Sequence, residues 1–326
     1  MKKYDILDCG ILLKIHTREF LSFFTIIILI SMIIINISYA GSAGTTSAPF
    51  LKILPGARPA SLGGAFAAVS DSPDACYYNP SGLFQIKNPQ LSFMHLVYLE
   101  GINYEYLSAG LPLGEGAGTI GIYGIMLGSG DIKRLVENTT GTDYSEDGVF
   151  STMDLLGGLS YGIEISSGFG FGLTVKYIQE TLDTKAESGV AVDAGIYNKL
   201  SDTFKVGASV SNIGVMLLRG DKYPMVVRAG LSWMIQIEKK DTILAAVDGI
   251  YDFETSKIKF GIGLEGYITG ELVVRGGYQI GYDAGGITGG FGYKMKLEGI
   301  TLGLDYGVVP MGDLGLTHRI SINSSF

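Results

Sequence analysis

From Gln90 to the C-terminus, apolar and polar residues alternate with a period of two. The clearest stretch follows Gly168 and has apolar side chains at every second position: Phe169, Phe171, Leu173, Val175 and Tyr177. The residues between them are Gly, Thr and Lys, so one face is apolar and the other is small or polar. This pattern predicts β-strands that present a single apolar face.

Fourteen segments of this kind follow one another along the chain. They cover residues 90–99, 102–113, 117–128, 148–165, 168–183, 187–200, 203–215, 225–238, 241–253, 256–268, 270–281, 286–297, 299–309 and 316–326. A soluble β-sandwich shows the same alternation. The segments run about 10–15 residues, however, whereas ordinary strands have about five or six and a tilted membrane-spanning strand needs about 9–11. We therefore predict an all-β fold, an antiparallel transmembrane β-barrel of about 14 strands over residues 90–326.

The lengths of the connections agree with a barrel. Connections after even-numbered segments are short, as at Glu115-Gly116 and Lys239-Lys240, whereas residues 129–147 form a long connection after the third segment. Bacterial barrels have an even number of strands and short periplasmic turns. This places both termini in the periplasm, with one short exception on the outer side at Glu100-Gly101.

Residues 41–89 have a different composition. They hold six of the nine prolines, and their short apolar pieces are broken by turn-forming residues. We interpret them as a compact, partly helical plug segment before the barrel.

The first 40 residues are typical of a targeting sequence. A basic region contains Lys2, Lys3, Lys14 and Arg18, residues 20–37 are apolar, and Ser38-Tyr39-Ala40 resembles a cleavage site. We expect residues 1–40 to be a signal peptide cleaved near Ala40, and the protein to be exported to the bacterial outer membrane. An uncleaved membrane anchor is the alternative, because the apolar stretch is long.

Composition and charge exclude several classes of protein. The net charge of −8 gives no basic footprint for nucleic acid. Cys76 is the one cysteine after Ala40, so an intrachain disulfide cannot form in the mature chain. The 48 glycines are frequent on the polar faces of the predicted strands, where a closed barrel is crowded.

Motifs for enzymatic chemistry are weak. Residues 116–121 match G-x-G-x-x-G but open a predicted strand, whereas phosphate binding needs a helix after the motif. His95 and His318 lie on the first and last strands, which become neighbours in a closed barrel, and a hydrolase would need a serine beside one of them. We expect no enzyme activity, no cofactor and no metal site.

Charged residues at predicted inward positions have mixed signs, which favours mutually paired charges along a polar interior over a strongly selective pore. They are Lys176, Asp193, Arg228, Asp248, Lys259, Glu265, Arg275, Lys294, Lys296, Asp305 and Arg319. The last strand alternates up to Phe326, and a terminal Phe in this position resembles the recognition signal of the barrel-assembly machinery.

An ordered set of motifs in the plug segment resembles the opening of PorV/PorQ-type outer-membrane proteins and, more distantly, the FadL transporters. The motifs are Phe50-Leu51-Lys52-Ile53, Gly56-Ala57-Arg58, Leu62-Gly63-Gly64-Ala65-Phe66, Asp71 and Tyr78-Asn79-Pro80-Ser81-Gly82-Leu83. Ser81 departs from the commoner Ala. The resemblance implies a segment inside or beneath the barrel, and it makes Arg58, Gly63, Gly64, Asn79, Pro80 and Gly82 candidates for ligand binding or gating.

Two functions follow from this resemblance. PorV-like members act in type IX secretion, so the first hypothesis is surface protein export or envelope assembly, with secretion components as partners. FadL-like members pass hydrophobic molecules, so the second is transport of long-chain fatty acids or other small hydrophobic ligands. Outer-membrane lipid and the barrel-assembly machinery are expected partners in both, and nucleic acid in neither. An outer-membrane hydrolase ranks third.

Overall fold

The computed structural model of the protein describes residues 44–137, 141, 143–237, 241–268 and 270–326. The predicted signal peptide and its cleavage site lie outside these residues. No helix in the described part of the chain is long and apolar enough to cross a membrane.

The chain forms a closed antiparallel barrel of 14 strands, as the alternation predicted. Its strands follow one another around the wall, and the first pairs with the last, from Gln90 opposite Ser325 to Val97 opposite His318. Two further strands, β4 and β5, form a separate hairpin. The strands are β1 (Gln90–Val97), β2 (Asn103–Pro112), β3 (Thr119–Gly128), β4 (Ile132–Glu137), β5 (Tyr144–Phe150), β6 (Thr152–Ser166), β7 (Phe169–Leu182), β8 (Lys185–Lys199), β9 (Phe204–Met216), β10 (Val226–Gln236), β11 (Thr242–Asp252), β12 (Lys257–Ile268), β13 (Leu272–Ile280), β14 (Ile287–Leu297), β15 (Ile300–Pro310) and β16 (Leu316–Ser325).

The two faces of the wall have the predicted character. On β7, Leu173, Val175 and Tyr177 are about half exposed on the outside, while Lys176 between them is 1% exposed and faces inward. An apolar exterior is what a strand needs against lipid, because hydrocarbon cannot solvate charge. A bulge shifts the pairing of β8 with β9 by one residue, so that Ser211 and Asn212 both face inward opposite Asp193.

The hairpin β4–β5 was missed in the sequence. It lies in the connection predicted as a loop and extends past it, so the fourth barrel strand begins at Thr152 and not at residue 148. Nearly all of its residues are exposed, so its faces do not differ in burial. It also marks the outer end of the barrel, because bacterial barrels carry their longer connections outside.

Residues 44–89 fill the barrel interior. They contain the helices α1 (Ala57–Ser61) and α2 (Ala75–Tyr78) and two 3-10 helices, Pro49–Lys52 and Pro80–Gln85. Most of these residues are buried, and their contacts are with inward faces around the wall. We call them the plug.

Candidate functional site

The plug begins near the extracellular mouth of the barrel. The Gly44 amide donates to Glu254 Oε1 (2.9 Å) in the outer turn between β11 and β12, and the Ser47 amide donates to the Lys222 carbonyl (3.0 Å) in the outer β9–β10 loop. The chain then descends through the lumen, and Arg58 reaches Glu265 near the periplasmic ends of β12 and β13. We call residues 44–53 the N-terminal strap.

The plug packs closely against inward-facing glycines of the wall. A Cβ at Gly195 would collide with Asn79 Oδ1, one at Gly207 with the Ala67 carbonyl, and one at Gly172 with the Pro80–Ser81 peptide. On the opposite wall, Gly277 makes the same close approach to the backbone of residues 62–63. These contacts explain the many glycines on the polar faces of the strands.

Among the predicted site residues, Arg58 is central to an ionic network. Its guanidinium donates two hydrogen bonds of 2.8 Å to Glu265 and a further one of 2.5 Å to Asp71. Glu265 also accepts from Arg275 (2.6 Å), which in turn donates to Asp305 (2.6 Å). The bidentate contact of Arg58 with Glu265 is strong and directional. Through Glu265, Arg275 and Asp305 the network ties the plug to β12, β13 and β15.

Asn79, Pro80 and Gly82 form a second anchor against β7–β9. The Asn79 side chain is fully buried; it donates to the carbonyls of Ala67 (2.9 Å) and Ile196 (3.1 Å), and its Oδ1 accepts from Ser81 Oγ (2.6 Å). Ser81, which stands where Ala is commoner, therefore adds a hydrogen bond to this anchor. Gly82 packs so closely on Ser70 that a Cβ there would collide with it.

Gly63 and Gly64 have positive φ angles of 67° and 84°, and a Cβ on Gly63 would collide with backbone oxygens of β12 and β13. The structure thus places Gly63 and Gly64 apart from Asn79, Pro80 and Gly82, on another part of the wall. Of the six candidates, Arg58 lines one of the cavities described below. A role of these residues in ligand binding or gating stays a prediction.

Phe326 and the two histidines lie outside the lumen. Phe326 is 55% exposed, and its amide donates to the Pro89 carbonyl (3.0 Å), next to the start of β1. On the lipid-facing side, His95 Nδ1 lies 2.6 Å from Glu105 Oε1, and His318 Nδ1 lies 2.6 Å from the Tyr306 hydroxyl. Neither contact supplies the serine that a hydrolase would need.

The predicted pairing of inward charges is confirmed at several positions. Lys176 pairs with Asp193 (2.6 Å), Arg275 with Glu265 and Asp305, and Lys259 with Asp252 (2.7 Å). Lys294 instead places its ammonium over the Tyr267 ring, 4.8 Å from the centroid, and Lys296 is exposed near the end of β14. Most of these charges therefore stabilise the wall and the plug.

The opposite half of the lumen is apolar, which the sequence analysis did not predict. Strands β1–β3 and β6–β7 turn large side chains inward, and these pack on the strap and plug. We call this group the apolar lumen cluster; its main members are Met94, Leu96, Tyr104, Tyr106, Tyr123, Ile125, Leu156 and Ile178 from the wall and Phe50, Leu51 and Leu83 from the plug. A hint was available in the sequence, because β1 is apolar on both faces, with Met94 and Leu96 between Phe93 and Val97.

A cavity of about 410 Å³ opens above this cluster at the extracellular mouth. Three of its carboxylates stand side by side on neighbouring strands: Asp154 opposite Glu180, and Glu180 opposite Glu187. Arg219 pairs with Glu187 and lies 3.4 Å from Asp221. Like charges placed directly across strands destabilise a sheet, so this vestibule concentrates negative charge at a cost in stability.

A second cavity of about 210 Å³ lies at the periplasmic end. It is lined by Arg58, Asp71, Asp74, Gln90, Lys294 and Asn323 among others. Burial raises the pKa of Asp74 to about 7, although the neighbouring Arg58 guanidinium acts in the opposite direction. Asp74 Oδ2 accepts from Ser72 Oγ (3.3 Å), while Oδ1 has no partner among the described protein atoms.

Comparison with known proteins finds matches among solved structures alone, since neither a family model nor a curated protein matches. The toluene transporter TbuX of Ralstonia pickettii aligns with a TM-score of 0.59 at 13% identity, covering 83% of this chain and 97% of that one. The toluene transporter TodX of Pseudomonas putida gives 0.57 at 12% identity with the same coverage. The chain has the fold of an outer-membrane β-barrel. A FadL homologue of Pseudomonas aeruginosa also aligns, at 12% identity over 82% of this chain and 97% of that one, with a TM-score of 0.44.

Proposed function

We propose that this outer-membrane barrel carries small hydrophobic molecules across the membrane, the second of the two functions expected from the sequence. The observation that carries the proposal is the apolar lumen cluster. The interior of a membrane barrel is ordinarily polar, whereas here one half of it presents Leu, Ile, Met and Tyr side chains from the plug to the vestibule. Apolar surface inside a barrel lowers the free energy of an apolar solute relative to water.

The position of the cluster supports passage from outside. Leu156 follows Asp154 by two residues on the same face of β6, and Ile178 precedes Glu180 by two on β7. The acidic vestibule therefore stands directly above apolar wall. Both side chains are buried against the rest of the apolar lumen cluster, so a hydrophobic molecule in the vestibule reaches them when the plug moves away from this part of the wall.

The charge of the vestibule favours uncharged molecules over fatty-acid anions. Four carboxylates, those of Asp154, Glu180, Glu187 and Asp221, line the two adjoining cavities at the mouth, with Lys185 and Arg219 as the cations. A surplus of negative charge in a narrow entrance repels anions. The solved structures with the same fold include two whose names describe toluene transport, which supports the same class of molecule.

Uptake of a labelled neutral hydrocarbon by cells that express the chain tests this function. We expect faster uptake of radiolabelled toluene than in cells with an empty vector, and a loss of that gain in Ile178→Asp, which puts a charge into the apolar lumen cluster. Leu135→Asp, on the exposed outer hairpin, is the matched control and leaves uptake unchanged. No gain over the empty vector with correctly assembled protein would contradict the proposal.

The export hypothesis predicts other results. Membership of the PorV/PorQ group and a role in type IX secretion would bring secretion components along when the barrel is purified from detergent-solubilised outer membrane. It would also leave toluene uptake at the level of the empty vector. The same cells serve both measurements, so the two functions are compared directly.

A further inference from the structure

The N-terminal strap begins at the extracellular mouth and runs down into the lumen. The amide of its first residue, Gly44, donates to Glu254 Oε1 (2.9 Å), and the Ala48 amide donates to Glu180 Oε1 (2.9 Å). Glu254 lies in the outer turn between β11 and β12, and Glu180 lies two residues before the outer end of β7. The described part of the chain therefore starts on the far side of the barrel from the periplasm.

A short connection joins Gly44 to the apolar stretch of the predicted signal peptide. Residues 38–43 are all that separates Ile37 from Gly44. Fully extended, this connection spans at most about 25 Å, which is less than the roughly 30 Å hydrocarbon core of a single bilayer. An apolar stretch anchored in the inner membrane could not extend across the outer membrane to a strap held at the mouth. The uncleaved anchor is therefore incompatible with the docked strap.

A cavity of about 370 Å³ lies where the strap meets the wall. Residues 44–47 line it from the strap, and Glu180, Asp221 and Arg219 line it from the wall. Arg219 is the one cation among the described residues that line it, and it is shared between Glu187 and Asp221. We call this space the strap cavity. It offers room and an excess of negative charge beside the residue at which the strap begins.

We propose that cleavage after Ala40 creates an α-ammonium group that binds in the strap cavity, against the carboxylates of Glu180 and Asp221. Gly41 stands three residues before Gly44, so its nitrogen lies within about 11 Å of Gly44 even in an extended chain. Because Gly44 itself lines the cavity, this length is sufficient for the ammonium group to enter it. An ammonium group has three donors and no acceptor, which suits a site that offers carboxylate oxygens.

The cationic group exists only after processing. Hydrolysis of the Ala40–Gly41 peptide bond by a membrane-bound signal peptidase consumes one water and leaves a carboxylate on the released segment and an ammonium group on the mature chain. Before this step the same nitrogen is a neutral amide. The new charge offsets the repulsion between Glu180 and Glu187, which stand opposite each other on neighbouring strands. Four carboxylates at the mouth still outnumber Lys185, Arg219 and the new ammonium group, so the negative surplus persists.

Labelling of intact cells tests the location of this group. Mass spectrometry of the purified protein first identifies its N-terminal residue, which we expect to be Gly41. A membrane-impermeant reagent is then applied near neutral pH, where α-amines react before lysines because their ordinary pKa is about 7.7–8.0 and that of lysine about 10.4. We expect Gly41 to be modified in intact cells, whereas Lys199, at the periplasmic end of β8, reacts only after permeabilisation. A purified chain that retains residues 1–40, or a Gly41 that reacts only after permeabilisation, would overturn the proposal.

Selective acetylation of the α-amine in the purified mature barrel tests the pairing, because it removes the charge. We expect hydrogen exchange of the Ala48 amide to become about threefold faster on acetylation, as the loss of an exposed ion pair allows. Acetylation should have no effect in the double variant Glu180→Gln/Asp221→Asn.

Each protein is compared with and without the acetyl group, so any destabilisation by the substitutions themselves cancels. Asp313→Asn is the matched control, because it removes an exposed carboxylate from the outer loop between β15 and β16, and it should keep the full effect of acetylation. No effect of acetylation in the wild type, or an equal effect in the double variant, would overturn the assignment to the strap cavity.

Discussion

Docking of the plug should weaken as the pH rises through 7, because of Asp74. Burial raises the pKa of this carboxyl from 3.8 to about 7, so the plug in place favours the protonated acid. The groups that face it are Arg58, Asp71, Asp305 and Ser72, of which Arg58 and Ser72 lower the pKa and the two acids raise it. The stability that Asp74 contributes is therefore fully present below pH 3.8 and is lost as the pH rises through 7.

The magnitude follows from the two pKa values. A shift of about three units corresponds to about 4 kcal/mol in full, of which about 3 kcal/mol is lost between pH 5 and pH 8. Asp74→Asn keeps the shape and cannot ionise. We expect the free energy of plug undocking to fall with pH in the wild type and to be flat by comparison in the variant.

Hydrogen exchange of plug amides at pH 5 and pH 8, corrected for the intrinsic pH dependence of exchange, measures this free energy. Amides of residues 57, 58, 60, 61 and 75–78 report on the plug, and amides of β11 and β12 serve as the internal control in the wall. Identical pH dependence in the wild type and in Asp74→Asn would refute the reasoning. The same result would show that Asp74 is solvated when the plug is docked.

Three further predictions concern the Arg58 network, the packing of Asn79 against the wall and the charge of the vestibule. Arg58→Ala leaves Asp71 and Glu265 without their shared cation and should weaken plug docking by about 3–5 kcal/mol, seen as faster exchange of plug amides while the wall stays protected. Gly195→Val should displace Asn79 and expose the plug to protease, whereas Gly157→Val, where a Cβ meets open space, should not. Glu180→Gln should raise the uptake of fatty-acid anions relative to toluene; an unchanged ratio would show that the vestibule charge does not select.

The alternation from Gln90 onward was sufficient to predict the barrel, because each wall residue is either lipid-facing or inward, and the two faces differ in polarity. The same reasoning failed at β4–β5, whose two faces are both exposed. It failed also for the apolar half of the lumen, since Tyr106 and Tyr123 lie on an inward face that an ordinary barrel would make polar. The contacts of the plug could not be predicted, because Arg58 and Glu265 are 207 residues apart and no local pattern relates them.

The path of the N-terminal strap constrains the order of assembly. Gly44 bonds a carboxylate 210 residues later in the sequence, at the opposite end of the lumen from the point where the plug joins β1. If the wall closed first, the ten residues of the N-terminal strap would have to pass through a filled interior to reach the extracellular mouth. A sheet that is still open has no such obstacle, and it can curl around the plug with β1 and β16 meeting last. In this order of assembly, the plug that fills the finished barrel is the template around which the wall closes.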